Sequence, residues 1–268
     1  MPTKILYLLI IVAICSCTNK PANESIETNK GQAASLTGFP DSVVIAPLYP
    51  DTVFFMVEAE LGDEIQVKGN VEGFRNRIKT TRELYFQRFV EKQGRFRVIH
   101  AVGTGIEDIH EGGKQTHDIK RYNDTIKFDE IGYFAGDPGD PVELIPLYPG
   151  HMVSKGQYWM PTAPVKIGLG QGLAKYKFII DSFYYDEKNT LLARMQIEVN
   201  ADLEPVAALK GGKVTVSGGG WIIWDCTINQ RRETHLKAVY LGTKNNNEVR
   251  QIITVDDKLN AHSGKKYF

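Results

Sequence analysis

The chain aligns with itself. Sliding its 268 residues by 99 superimposes "PLYP" at 47–50 on "PLYP" at 146–149 and, without a gap, "GGKQT" at 112–116 on "GGKVT" at 211–215. Of the 76 pairs from 41 to 116, 14 are identical, including Asp41 with Asp140, Gly69 with Gly168, Tyr85 with Tyr184 and Arg95 with Arg194. Unrelated sequence would give about four or five, so an internal repeat of two units is expected. Units of this length can fold alone or as halves of one body. The prolines of "PLYP" stiffen an extended connection at the start of each unit and keep it out of a helix.

The apolar period within the units is two. In "ARMQIEVN", Ala193, Met195, Ile197 and Val199 alternate with Arg194, Gln196, Glu198 and Asn200, the pattern of a strand with one buried face. The 99-residue offset gives Phe96, Val98 and His100 the phase of Met195, Ile197 and Val199. "KYKFIIDSFYY" and "TLLARMQIEV" flank the polar "DEKN", and "THLKAVYLG" and "EVRQIITV" flank "TKNNN", so both pairs read as hairpins. "TTRELYFQRFVEKQG" has some helical spacing, but it aligns with strand-like sequence and reads as a strand. The expected class is all-β: two tandem β-rich repeat units of about 100 residues, forming a sandwich or an open curved sheet. Unit 1 covers 41–139 and unit 2 covers 140–268, the latter ending in a hairpin.

The first residues, "MPTKILYLLIIVAICSCTNK", carry Lys4 ahead of an unbroken apolar run at 5–14. That run is about half the 20 residues a membrane span needs, and it reads as a signal peptide over 1–16. "ICSC" resembles the lipobox of bacterial lipoproteins. Ser16 supplies the small residue before the cut and Ile14 the apolar residue three back, which designates Cys17 as the lipid anchor; Cys15 would follow the bulky Ile14. The resemblance implies fatty acylation, with palmitate a typical chain, and a membrane as partner. Each buried methylene contributes about 0.8 kcal/mol to such attachment. Residues 17–40 are polar, too poor in apolar side chains to fold, and read as a lipidated disordered tether. Thr18 is not the Asp linked in some bacteria to inner-membrane retention, so the cell envelope's outer membrane is expected. Cys226 is left without a disulfide partner and reads as a small apolar core residue.

No reaction is legible. With 32 basic and 32 acidic residues and no basic run, nucleic acid is not an expected partner. His100, His110 and His117 with Asp108 could in principle gather around a metal, but a metalloprotease helix would need a histidine where Lys114 stands. A phosphate loop would need a glycine at Asp108 and a hydroxyl residue at Gln115, so "GGKQT" reads as a turn with positive φ. "GLGQGL" at 168–173 lacks dinucleotide-site spacing and reads as a flexible crossing or a bulge. "GGGWIIWDC" pairs Trp221 with Ile223 on one face and Ile222 with Trp224 on the other. It reads as a central strand buried on both sides, with sugar stacking the competing use. "GDPGD" at 136–140 reads as a turn between units, with calcium the competing use. No catalytic, cofactor-binding or metal-ligating residue is assigned, and no cofactor is expected.

One stretch carries a family resemblance. "IPLYPGHMVSKGQYW" is similar to a pattern in uncharacterised bacterial envelope lipoproteins of a domain-of-unknown-function type, in which a Pro-rich start leads to Val-x-x-Gly-x-x-Trp. Val153, Gly156 and Trp159 hold those places, Gln157 stands where Asp is common, and the first unit lacks the Gly and Trp. Covering 144–259, the resemblance implies a β-rich envelope lipoprotein with no established reaction. The expected function is thus a membrane-anchored, non-enzymatic binding or structural role, with an envelope protein or glycan as partner. The alternatives are a periplasmic or surface carbohydrate-active or carbohydrate-binding protein, and a carrier of an apolar ligand.

Overall fold

The computed structural model of the chain describes residues 40–45, 53–93, 96–129, 149, 151–227 and 229–263. The leader with Cys15 and Cys17, the tether apart from Pro40, "GDPGD" and both copies of "PLYP" apart from Pro149 lie outside these residues, as do the side chains of Phe96, Val98 and His100. The described part is all-β, as the alternation predicts, and its one helical piece is a single 3-10 turn, Ala207–Leu209. Eleven strands form one open antiparallel sheet, so the sandwich alternative is not the one adopted.

The sheet is two meanders joined side to side. The first consists of β2 (Val53–Lys68), β3 (Arg77–Gln93), β4 (Phe96–Glu111) and β5 (Lys114–Asp129). The second runs from β7 (Tyr158–Trp159) and β8 (Thr162–Ile167) through β9 (Gly170–Tyr185), β10 (Leu191–Pro205), β11 (Lys213–Asp225) and β12 (Gln230–Lys244) to β13 (Asn247–Ser263). β13 pairs with β2, giving the order β5-β4-β3-β2-β13-β12-β11-β10-β9-β7, with β8 also on β9. A separate two-stranded sheet pairs β1 (Ser42–Val44) with β6 (Met152–Ser154).

Turn chemistry fixes these registers. Gly112 and Gly113, at φ 59° and 77°, form a two-residue turn that closes on Glu111 opposite Lys114, the conformation that matches strand twist. At the second copy only Gly211 has positive φ, at 81°, and the 3-10 turn lengthens the connection. "TKNNN" is the β12–β13 turn, with Asn245 at φ 54° and Lys244 opposite Asn247. "DEKN" joins β9 to β10, and the stretch of mixed helical spacing is strand β3. "GLGQGL" is neither a crossing nor a bulge. It is a two-residue hairpin turn, Ile167 facing Gly170, in which Leu169 is fully buried.

The two meanders bury different chemistry on the same face. In the second, Phe178, Ile180, Met195, Ile197, Val214, Val216, Ile222 and Trp224 form a filled apolar core, closed by Val43 and Val153 from the small sheet, by Ile45 just after its first strand, and by Val71 and Leu209. Each such side chain contributes about 1.5–3 kcal/mol. In the first, the buried positions include Asp63, Thr81 and Glu107. The 99-residue offset also fails to carry side-chain phase at this end of β4. Gly105 and Glu107 are buried where their counterparts Glu204 and Val206 are exposed and half-buried, and exposed Thr104 matches buried Leu203.

Three consecutive glycines in β11 let the sheet draw together. A Cβ on Gly218, Gly219 or Gly220 would run into the backbone carbonyls of Lys237, Ile197 and His235 respectively, on the flanking strands. Close backbone approach is one reason a strand interior carries glycine. Gly220→Ala is expected to lower stability by about 1–3 kcal/mol through overpacking, whereas Ser217→Ala on the same strand, at an exposed position, stays within about 0.5 kcal/mol of wild type. Urea midpoints of the two variants test this.

Candidate functional site

The Val-x-x-Gly-x-x-Trp stretch is a clamp on β9. Val153 is buried in the core. Gly156, at φ 81°, turns the chain so that its N–H donates to the Ile180 carbonyl at 2.8 Å, while the Ile180 N–H donates to the Gln157 carbonyl at 3.0 Å. Trp159 stacks on Phe178 with ring centroids 5.1 Å apart. The Gln157 side chain accepts from the Ser154 N–H at 2.7 Å, work that a shorter Asp carboxylate could also do. All of these contacts are structural.

The charged groups meet as cross-strand pairs. Asp63 on β2 accepts hydrogen bonds from Arg77 on β3 and, at 2.8 Å, from the Gln251 amide on β13. Glu107 on β4 is bridged by Lys79 from β3 and by Lys120 from β5, the latter at 2.7 Å. Burial alone would raise the Glu107 carboxyl, but hydrogen bonds and charge from Lys120 and Lys79 outweigh it, and its pKa lies below the ordinary value. Arg231 and Asp257 form a pair at 2.8 Å with almost no exposure. Burial pushes Asp257 up, against the opposing pull of the Arg231 charge and the Thr234 hydroxyl. Removing one member of such a pair strands a buried charge, which is why these ladders tie strands firmly together.

The other face of the sheet is solvent-facing and carries one continuous row. Register places Gln196, Trp221, His235, Asp256, Glu60 and Arg82 side by side across β10, β11, β12, β13, β2 and β3. His235 Nδ1 bonds Asp256, the Trp221 and His235 rings lie 3.8 Å apart between centroids, and the Arg194 guanidinium sits 5.4 Å from the Trp221 ring centre. An open depression of about 620 Å³ follows the row, lined by Glu58, Glu60, Arg82, His235, Asp256 and Lys258 among others. Trp224, Ile222 and Ile223 are buried but Trp221 is only half-buried. Burial on both sides therefore holds at Ile222, Ile223 and Trp224, and the outer face opens only at half-buried Trp221.

His110 and His117 do not converge, and the His100 side chain lies outside the described residues. His117 bonds Asp108 at 2.8 Å on the same solvent face, with Arg82 at 3.3 Å from that carboxylate. These neighbours, His117 first, hold Asp108 below its usual pKa. His110 opposes Gln115 instead. Among the described residues no three His, Cys, Asp or Glu side chains gather as a metal site. Cys226 is half-buried against Trp224, and burial with the neighbouring Asp225 charge pushes its thiol up to about 12.

Sequence reasoning missed the ion-pair ladders, although one signal was present. In "VEAELGDEI" the phase of Val57, Ala59 and Leu61 passes directly to Asp63, which puts a carboxylate on a buried face. No comparable signal pairs Arg231 with Asp257, because their meeting depends on the register between two strands.

No protein-family model matches the chain, and no curated protein does. Among solved structures, three mutants of the Rh. blastica porin are similar over 76% of this chain and 99% of theirs, at 8% or 9% identity and TM-scores of 0.19 or 0.20. A likeness at that level carries no argument about this chain.

Two outcomes follow from the titrating groups. Asp186 accepts from the N–H groups of Lys188 and Thr190 at 2.9 and 2.8 Å and from Arg232 at 2.6 Å, and the Thr190 contact leads in lowering its pKa to about 2. A depressed carboxyl stabilises the fold above its unfolded pKa of about 4, and that contribution is lost as pH falls through the folded value. Urea midpoints of Asp186→Asn should therefore lose less between pH 4 and pH 2.5 than those of wild type. For Cys226, a maleimide at pH 8 should leave the native thiol unmodified over a time in which the urea-unfolded chain reacts fully, read by mass spectrometry.

Proposed function

We propose that this chain is a membrane-anchored envelope lipoprotein that binds another envelope component and performs no chemistry. The observation that carries the reading is how the perturbed carboxylates are used. Glu107, Asp186 and Asp257 each sit against a cation from another strand, Lys79 and Lys120, Arg232, and Arg231, and Asp108 sits against Arg82 and the His117 ring. Active sites tune carboxylates toward a shared cleft, whereas here Glu107, Asp108 and Asp257 tie neighbouring strands together and Asp186 holds the β9–β10 turn against β12. The apolar half of the sheet is filled by its own side chains, which supports a scaffold more than a carrier. What the molecule offers outward is a broad polar face with the Trp221–His235–Asp256 row near its middle.

Attachment is assigned to Cys17, with residues 17–40 as the leash and the outer membrane as the expected location. Metabolic labelling with a clickable fatty acid in cells expressing wild type and Cys17→Ala, followed by membrane fractionation, tests it. Label and membrane association should both be lost in the variant. Label retained in Cys17→Ala would move the anchor elsewhere, and an unlabelled wild type would overturn the lipoprotein reading.

A further inference from the structure

β5 ends the sheet. Among the described residues it pairs only with β4, along its whole length from Lys114 to Asp129. The two-residue turn before it sets which backbone groups are spent. The pair closing such a turn is hydrogen-bonded, so Lys114, Thr116, Asp118 and Lys120 direct their N–H and C=O toward β4, while Gln115, His117, Ile119 and Arg121 direct theirs to the open side. Residues 114–119 are exposed on both faces. Ile119, at 67%, is the most exposed large apolar residue among those described, and it lies beside its cross-strand partner Ile106 at 37%.

An open edge with this pattern is a template for another strand. We infer that the edge of β5 pairs antiparallel with β5 of a second copy of this chain, about a two-fold axis at Ile119. Directly opposed residues of an antiparallel pair share a face, so a two-fold between identical strands must centre on a residue. Centring on Ile119 places Asp118 opposite Lys120 of the second copy, twice by symmetry, and Ile119 on its own copy. The two Ile119 and two Ile106 side chains then form one apolar strip, and Ile119 exchanges backbone hydrogen bonds with its copy.

Registers centred on 118, 120, 121 or 122 are worse. A centre at 118, 120 or 121 sets Asp, Lys or Arg against itself on the axis. A centre at Tyr122 puts Ile119 opposite Thr125 and Asp118 opposite Ile126. Opposite charges stabilise a cross-strand pair and like charges oppose it. The pairing of His117 with Arg121 is the one contact at Ile119 that is not complementary, and His117 is already bonded to Asp108. Lysines often blunt an edge; here Asp118 and Lys120 alternate in a way that matches the strand to itself.

The test uses the full chain on membranes of the expressing cells. In the hydrogen-bonded pair the opposed Cα atoms lie about 5.5 Å apart, within disulfide reach, so Ile119→Cys should give a dimer-sized band on mild oxidation. Ile78→Cys, exposed on the same face but on β3, should not. Adding Asp118→Lys to Ile119→Cys should cut the crosslink about tenfold by opposing like charges; Lys120→Asp, which also removes the Lys120 bridge to Glu107, should cut it at least as far. Co-expressed with different tags, those two variants should recover it as a heterodimer, because each then meets its opposite. Absence of an Ile119→Cys crosslink, an equal crosslink from Ile78→Cys, or indifference to Asp118→Lys would overturn the proposal. Asp118 is exposed, so its variant tests pairing without disturbing the core.

Discussion

The ladder between β2 and β13 is the interaction on which the rest of the molecule depends. All sixteen residues of β2 are in register with β13, from Val53 opposite Ser263 to Lys68 opposite Glu248. Each meander alone would have an exposed flank at this seam. Joined, they make one sheet in which the first long strand and the last are neighbours, and Asp63 and Gln251 meet across the seam in a buried hydrogen bond. Such long-range pairing must recover the entropy of closing a loop that spans most of the chain.

From that seam outward the two halves solve the same packing problem differently. The second meander fills its face with aliphatic and aromatic side chains and closes it with the small sheet and the 3-10 turn. The first places Asp63, Arg77, Lys79, Glu107 and Lys120 there and neutralises each charge with a neighbour one strand away. Ion pairs of this kind add less net stability than apolar contacts of the same size, but they penalise a slipped register heavily, since a one-residue slip leaves charges stranded. Rigidity in the charged half thus comes from register, and in the apolar half from volume.

Much of this was legible from local pattern. Period two in 193–199, the Asn-rich turn at 244–247 and the paired glycines at 112–113 announce strands and tight turns, because backbone sterics and one-sided burial act within a few residues. The 99-residue offset loses phase at the end of β4, since Glu107 is buried where Val206 is only half so; identity at turns does not fix which face a strand turns inward. The Trp221–His235–Asp256–Glu60 row was invisible, because its members lie on four strands that only the sheet order brings together. "GLGQGL" was misread for a related reason. A two-residue turn without positive φ, held by the burial of Leu169, has no signature beyond its glycines.

The small sheet has a mechanical meaning. Ser42–Val44 is the first described strand, and three residue pairs attach it to Met152–Ser154, while Val43 and Ile45 are buried in the core. Tension applied to the chain from its N-terminal side reaches this short ladder before the sixteen-residue ladder behind it. A pull strong enough to unzip β1 would lengthen the chain and relieve the load with the large sheet intact, so the β1–β6 pair acts as a fuse in series with the body it protects.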